Sequence, residues 1–191
     1  TSDSPDSSVE IRSTIAPRTI AENPTNPVGV IAINSPSVVL GTEGANVALV
    51  TQGDDDGGSV TISGVDSEGN PVAGAGTVSL AGDVNIDTTN GGLSQGADVS
   101  VVAGSTLGTI GSGLDAATAS LTIDAGTGNV SLGQFLADAP VNSLIISQAN
   151  DVSADDVFAD SNTIDINAAG DVVITGVLND TGGAVRVSSG G

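Results

Sequence analysis

The chain of 191 residues has no cysteine, histidine, methionine, tryptophan, tyrosine or lysine, and Phe135 and Phe158 are its only aromatics. Lack of cysteine removes any disulfide framework and leaves the redox compartment open. Lack of histidine and lysine leaves the abundant serines without a base to activate them, which argues against nucleophilic hydrolysis. Nor is there a tyrosine or tryptophan to hold a sugar ring. Cationic side chains are nearly absent as well. Arg12, Arg18 and Arg186 stand against 23 acids, for a formal net charge of −20. No basic surface exists to displace counterions from nucleic acid or to settle on anionic lipid, so nucleic acid is excluded as a partner. The chain contains no apolar run of about 18 residues for a membrane helix, and no basic segment followed by an apolar core that would mark a signal peptide. Membrane insertion is not expected.

What is present is repetitive. The apolar residues are almost all Val, Ile, Leu and Ala, which suits thin layers of β-branched packing, and 27 glycines supply room for tight corners. The alternating triplets Val78-Ser79-Leu80, Val99-Ser100-Val101, Leu121-Thr122-Ile123, Leu144-Ile145-Ile146, Ile164-Asp165-Ile166 and Val185-Arg186-Val187 start 21, 22, 23, 20 and 21 residues apart. A sustained period of this length marks a solenoid, in which each repeat buries its apolar side against its neighbours.

Two further apolar stations follow each triplet. The first comprises Val84-Asn85-Ile86, Leu107, Val130-Ser131-Leu132, Val152 and Val172-Val173-Ile174. The second comprises Leu93, Leu114, Phe135-Leu136, Val157-Phe158 and Val177-Leu178. Three stations per repeat predict three sides. Corners read Gly82-Asp83, Gly128-Asn129, Asn150-Asp151 and Gly170-Asp171, each just before an inward valine. There Gly or Asn would accept a positive φ, and the Asp or Asn side chain would bond backbone amides exposed by the bend. Ala154 to Ala159 and Asp115 to Ser120 are expected as loops or single turns.

The fold class expected is all-β: a right-handed, three-sided parallel β-helix with rungs of about 21 residues. Seven or eight rungs at roughly 4.8 Å each would make a rod on the order of 35 Å long. The expected core consists of Val78, Leu80, Val99, Val101, Leu121, Ile123, Leu144, Ile146, Ile164, Ile166, Val172, Ile174, Val185 and Val187. Residues 1–27 hold four of the seven prolines and read as a leader, cap or linking strand, in which Val9, Ile11 and Ile15 could form an assembly strand. Residues 28–76 read as irregular first turns, and 77–191 as the regular repeats.

Catalytic chemistry finds little to work with. Carboxylate pairs such as Asp155 with Asp156, or Asp165 with Asp171, are the raw material for cleaving a polysaccharide. No histidine or lysine accompanies them, so no catalytic residue is assigned and the chain is read as a non-enzyme. No cofactor is expected, apart from a structural Ca²⁺ for which Asp54, Asp55 and Asp56, with Asp66 and Glu68 downstream, offer hard oxygen ligands. That cluster lacks the spacing of a helix-loop-helix calcium site, and a solvated acidic loop is the simpler reading.

Gly128-Asn129-Val130-Ser131-Leu132 running into Asn142-Ser143-Leu144-Ile145-Ile146, and the stretch from Ala169 to Gly176, resemble the repeats of filamentous-haemagglutinin-like bacterial surface adhesins. The resemblance covers roughly residues 76 to 191. Asn26-Pro27-Val28-Gly29-Val30 is similar to an Asn-Pro-Asn-Gly-Ile-like motif in that family's transporter-recognised domain, without the second Asn. The resemblance implies an extracellular or cell-surface location, a right-handed β-helix shaft and adhesion to a host or matrix ligand, and it carries no catalytic residues. The chain opens at Thr1 without a methionine, and only Ser188-Ser189-Gly190-Gly191 follows the last triplet. Two arrangements are therefore expected: a segment of a longer surface shaft, or a subunit stacking head to tail on itself. A ligand-binding adhesin module is the alternative function.

Overall fold

The computed structural model describes residues 8–11, 29–42, 45–51, 57–65, 71–72, 76–89, 92, 95–102, 108–112, 118–160 and 163–190. Among these there is no helix; every regular element is a strand. After β1 (Ser8–Ile11) the described residues make six circuits of three strands. The first circuit is β2 (Ile31–Asn34), β3 (Ser37–Leu40) and β4 (Val47–Val50). The second is β5 (Val60–Val65), β7 (Gly76–Leu80) and β8 (Val84–Asp87), with the short β6 (Pro71–Val72) inserted after β5. Next come β9 (Val99–Val101), β10 (Gly108–Ser112) and β11 (Leu121–Asp124), then β12 (Val130–Leu132), β13 (Gln134–Phe135) and β14 (Leu144–Ala149). The fifth rung is β15 (Val152–Ala154), β16 (Val157–Ala159) and β17 (Thr163–Ala168). The sixth is β18 (Val172–Ile174), β19 (Leu178–Asp180) and β20 (Ala184–Ser189).

Apart from β6, each strand lies parallel to its counterpart one circuit away, so three faces run the length of the stack. One sheet has the order β2-β5-β9-β12-β15-β18. Another is β4-β8-β11-β14-β17-β20. The last begins β1-β3-β7-β10-β13 and reaches the pair β16-β19 through the Phe135 N–H, which donates to the Asp156 carbonyl at 2.8 Å. The molecule is a three-sided parallel β-helix. Pairs within a sheet lie a full circuit apart in sequence, which is how a chain of short strands builds parallel sheets without crossover helices. Five rises of about 4.8 Å separate the first rung from the sixth, roughly 24 Å in all. The one antiparallel strand pair among the described residues joins Gly64 and Val65 of β5 to β6, where a hairpin leaves the second circuit.

Alternation within each strand sends every second residue to the axis, and parallel register stacks like on like. Val47, Val84, Leu121, Leu144 and Ile164 form one such column, and Leu49, Ile86, Ile123, Ile146 and Ile166 its neighbour; none is more than 1% exposed. Val60, Val99, Val130 and Val152 form a column in the first sheet, and Val38, Val78, Ile110 and Phe135 one in the third. Phe135 is fully buried, the largest side chain of the core.

The register differs from the expected period in the first half. Val78 lies in the third sheet between Val38 and Ile110, and Val99 in the first sheet between Val60 and Val130, so neither stacks on Leu121. Leu121, Leu144, Ile164 and Val185 do form one column, which Val84 and Val47 continue toward the amino terminus. The cause is loop length. Along the first sheet, Ile31, Val60, Val99, Val130, Val152 and Val172 stand 29, 39, 31, 22 and 20 residues apart, so a spacing near 21 describes only the last circuits. Loops on the second and third circuits happen to restore that spacing between different faces. The described residues make six full rungs, and β1 adds one strand of a further rung to the third sheet.

Other expectations divide. The segment from Ala154 to Ala159 spans the end of β15 and all of β16, because Val157 and Ala159 fill the interior at 0% and 2% exposure. Leu93, Leu107, Leu114 and Ile15 lie outside the described residues, as do Asp54, Asp55, Asp56, Asp66 and Glu68. β1, which contains Val9 and Ile11, pairs with β3 in the third sheet. At the other end, Val185 and Val187 occupy inward columns but are 45% and 46% exposed, and Val172 and Ile174 are partly exposed. The sixth rung has no strand beyond it among the described residues, so these four are only half enclosed.

Candidate functional site

Polar chemistry collects at the corners, because the strand faces turn their apolar residues inward. At the corner ahead of the first sheet, the residues before Val99, Val130, Val152 and Val172 are Asp98, Asn129, Asp151 and Asp171, and these four stack from rung to rung. Asp98 Oδ1 accepts the Asn129 N–H at 2.8 Å, Asn129 Oδ1 accepts the Asp151 N–H at 3.2 Å, and Asp151 Oδ1 accepts the Asp171 N–H at 2.9 Å. Asn150 Nδ2 links the same ladder sideways, donating to Asn129 Oδ1 and Asp151 Oδ2. These side chains do bond backbone amides, but the amide belongs to the next rung. They are inter-rung ties.

The Gly82-Asp83 corner does the same on a different edge, ahead of β8. Asp83 Oδ1 accepts the Ser120 N–H at 2.9 Å. Its rhyme with Gly128-Asn129 and Gly170-Asp171 is one of local chemistry and not of position. Positive φ plays no part at these corners: Gly82, Gly128, Asn150 and Gly170 are outside the left-handed region, which among described residues holds Gly41, Gly76, Gly92, Gly96, Gly126 and Val102. Glycine is needed there for space. A Cβ on Gly82 would overlap the Ala45 carbonyl, and one on Gly128 the Ala97 carbonyl of the preceding rung. At Gly170 the obstacle is the Asp151 carboxylate.

The carboxylates proposed for acid and base work have structural partners. Asp155 Oδ1 accepts the Thr175 hydroxyl, while Asp156 Oδ1 accepts the Val177 N–H at 2.7 Å and Asp156 Oδ2 accepts Gln134 Nε2 at 2.8 Å. Asp165 sits on β17 beside Arg186, whereas Asp171 belongs to the corner ladder, so the structure does not bring the two together. Among the described residues no group of three acids is arranged to hold a metal ion. Asp54, Asp55 and Asp56 fall outside that description. No described helix is long and apolar enough to cross a membrane.

Among the described residues, open grooves on the outer surface include two beside the corners. One, of about 340 Å³, is lined by Asn129, Ser131, Asp151, Ser153, Asp171 and Val173. The other, of about 260 Å³, lies over Asn46, Ala48, Asp83, Asn85 and Thr122. Each runs beside a corner ladder, along the outward residues of one sheet. In the larger groove the Ser153 hydroxyl donates to Ser131 Oγ at 3.1 Å, so its polar groups also bind across rungs. No family model, curated protein or solved structure matches this chain.

Sequence reasoning missed one device. Thr51 and Thr88 are fully buried at the ends of β4 and β8, where Ala125, Ala149 and Ala168 occupy the equivalent place in later rungs. Both threonines sit at the base of a long loop. The Thr51 hydroxyl donates to the Gly58 carbonyl, and Thr88 Oγ1 both donates to the Ala97 carbonyl and accepts the Ala97 N–H, each at 2.9 Å. The hydroxyl closes the neck of the loop so that the chain re-enters the helix in register. Later rungs turn within a few residues, and alanine suffices. Thr at a strand end before a long Gly-rich segment, against Ala before a short one, was the available signal.

Two predictions follow from these ties. Thr88→Val keeps shape but takes the acceptor from the half-buried Ala97 amide, and should cost about 1 kcal/mol in urea unfolding, with Thr88→Ser recovering most of it. Asp151→Ala removes the acceptor for Asp171 and one partner of Asn150, at an exposed corner; a loss of about 1 kcal/mol is expected by the same measurement. Equal stability of Asp151→Ala and wild type would show that water replaces the ladder without cost.

Proposed function

We propose that this chain is a non-enzymatic structural element of a bacterial cell surface: a shaft of stacked β-helical rungs belonging to a fibre or adhesin outside the cell. The observation that carries the reading is the use to which the polar side chains are put. Asp98, Asn129, Asp151, Asp156 and Ser153 each bond a neighbouring rung, so these polar side chains are engaged in holding the stack. A solenoid of this kind is a quasi-one-dimensional object whose stability is a sum of rung and interface contributions. Its natural use is to span distance. The high negative charge supports the same reading, since like-charged rods repel one another and stay dispersed.

A second reading, a ligand-binding adhesin module, is favoured by the two grooves along the outer faces. Small-angle scattering and electron microscopy of the purified chain, with calcium and with a chelator, separate the two. A shaft predicts end-to-end polymers of constant cross-section, with dimensions unchanged by the chelator. Retention of a saccharide, a protein or stoichiometric calcium by discrete monomers would overturn the shaft in favour of the binding module.

A further inference from the structure

We draw no further inference here: the strongest candidate, the half-exposed apolar end of the sixth rung formed by Val172, Ile174, Leu178, Val185 and Val187, carries none because nothing in the structure shows what covers it.

Discussion

Replacing Leu144 by Asp is expected to unfold the protein at room temperature. Leu144 is fully buried, with Leu121 beneath it and Ile164 above it in the parallel ladder. The substitution forfeits the burial of a leucine, about 1.5–3 kcal/mol, and places a carboxyl where no donor can reach it. An unpaired polar group in such surroundings costs a further several kcal/mol, even after the carboxyl takes up a proton to avoid ionisation. Together these losses match the total stability of an ordinary domain, about 5–15 kcal/mol. The damage would also spread, because each rung is held mainly by its two neighbours and a broken central rung uncouples the halves.

Val185→Asp tests the same column where it is open. Val185 is 45% exposed, so the new carboxylate can turn to water. Val172→Asp belongs with it, since Val172 is likewise only partly enclosed. Both should retain the β-sheet circular dichroism signal and melt within a few degrees of wild type, whereas Leu144→Asp should show neither a folded signal nor a cooperative transition. If Leu144→Asp melts like Val185→Asp, the inward column is misassigned.

Gly128→Ala is the second change with a large expected effect, although it adds a single methyl group. The atoms a Cβ would meet are the carbonyl of Ala97 and the amide nitrogen of Asp98, all backbone of the preceding rung. No rotamer change can relieve an overlap with main chain, so the two rungs must separate at that corner. Separation would stretch the Val99 N–H to Asn129 carbonyl bond, now 2.9 Å, and the tie from the Asn129 N–H to Asp98. A loss of about 3 kcal/mol or more is expected, at the upper end of what overpacking costs. Gly92→Ala is the control. Gly92 has φ +84° but open space around its Cβ position, so only the left-handed backbone penalty of about 1–2 kcal/mol applies. Urea unfolding of both variants distinguishes a steric from a conformational need for glycine. Equal losses would mean that the corner relaxes freely.

The corner glycines show where reasoning from sequence stops. Gly128-Asn129 and Gly82-Asp83 are recognisable as corners, and the side chain after each of these glycines does accept a backbone amide. The use of glycine there is invisible in the string, because it depends on the backbone of a rung about 31 residues earlier in the case of Ala97 and Gly128. The threonine necks at Thr51 and Thr88 are similar. Each pairs a strand end with a loop end that only folding brings together.

Register shows the same limit more sharply. Val78, Val99 and Leu121 follow one another at near-constant spacing yet lie in three different sheets. Lengthening a loop costs only about 0.6 kcal/mol per doubling, so circuits of very different length stack equally well and spacing alone cannot tell a full turn from two thirds of one. In the later circuits, where loops are short, spacing and stacking agree: Leu144, Ile164 and Val185 are both periodic and paired.

By itself the sequence determined an all-β fold class, which residues alternate inward, and that Gly-Asp and Gly-Asn pairs turn the corners. These follow from side-chain shape, polarity and charge, which are local properties. Only the tertiary structure decided which strand lies on which, why Gly128 must lack a side chain and which rung each corner carboxylate ties. Those depend on contacts between residues 19 to 40 positions apart, and physical proximity across that distance is set by packing, not by order along the chain.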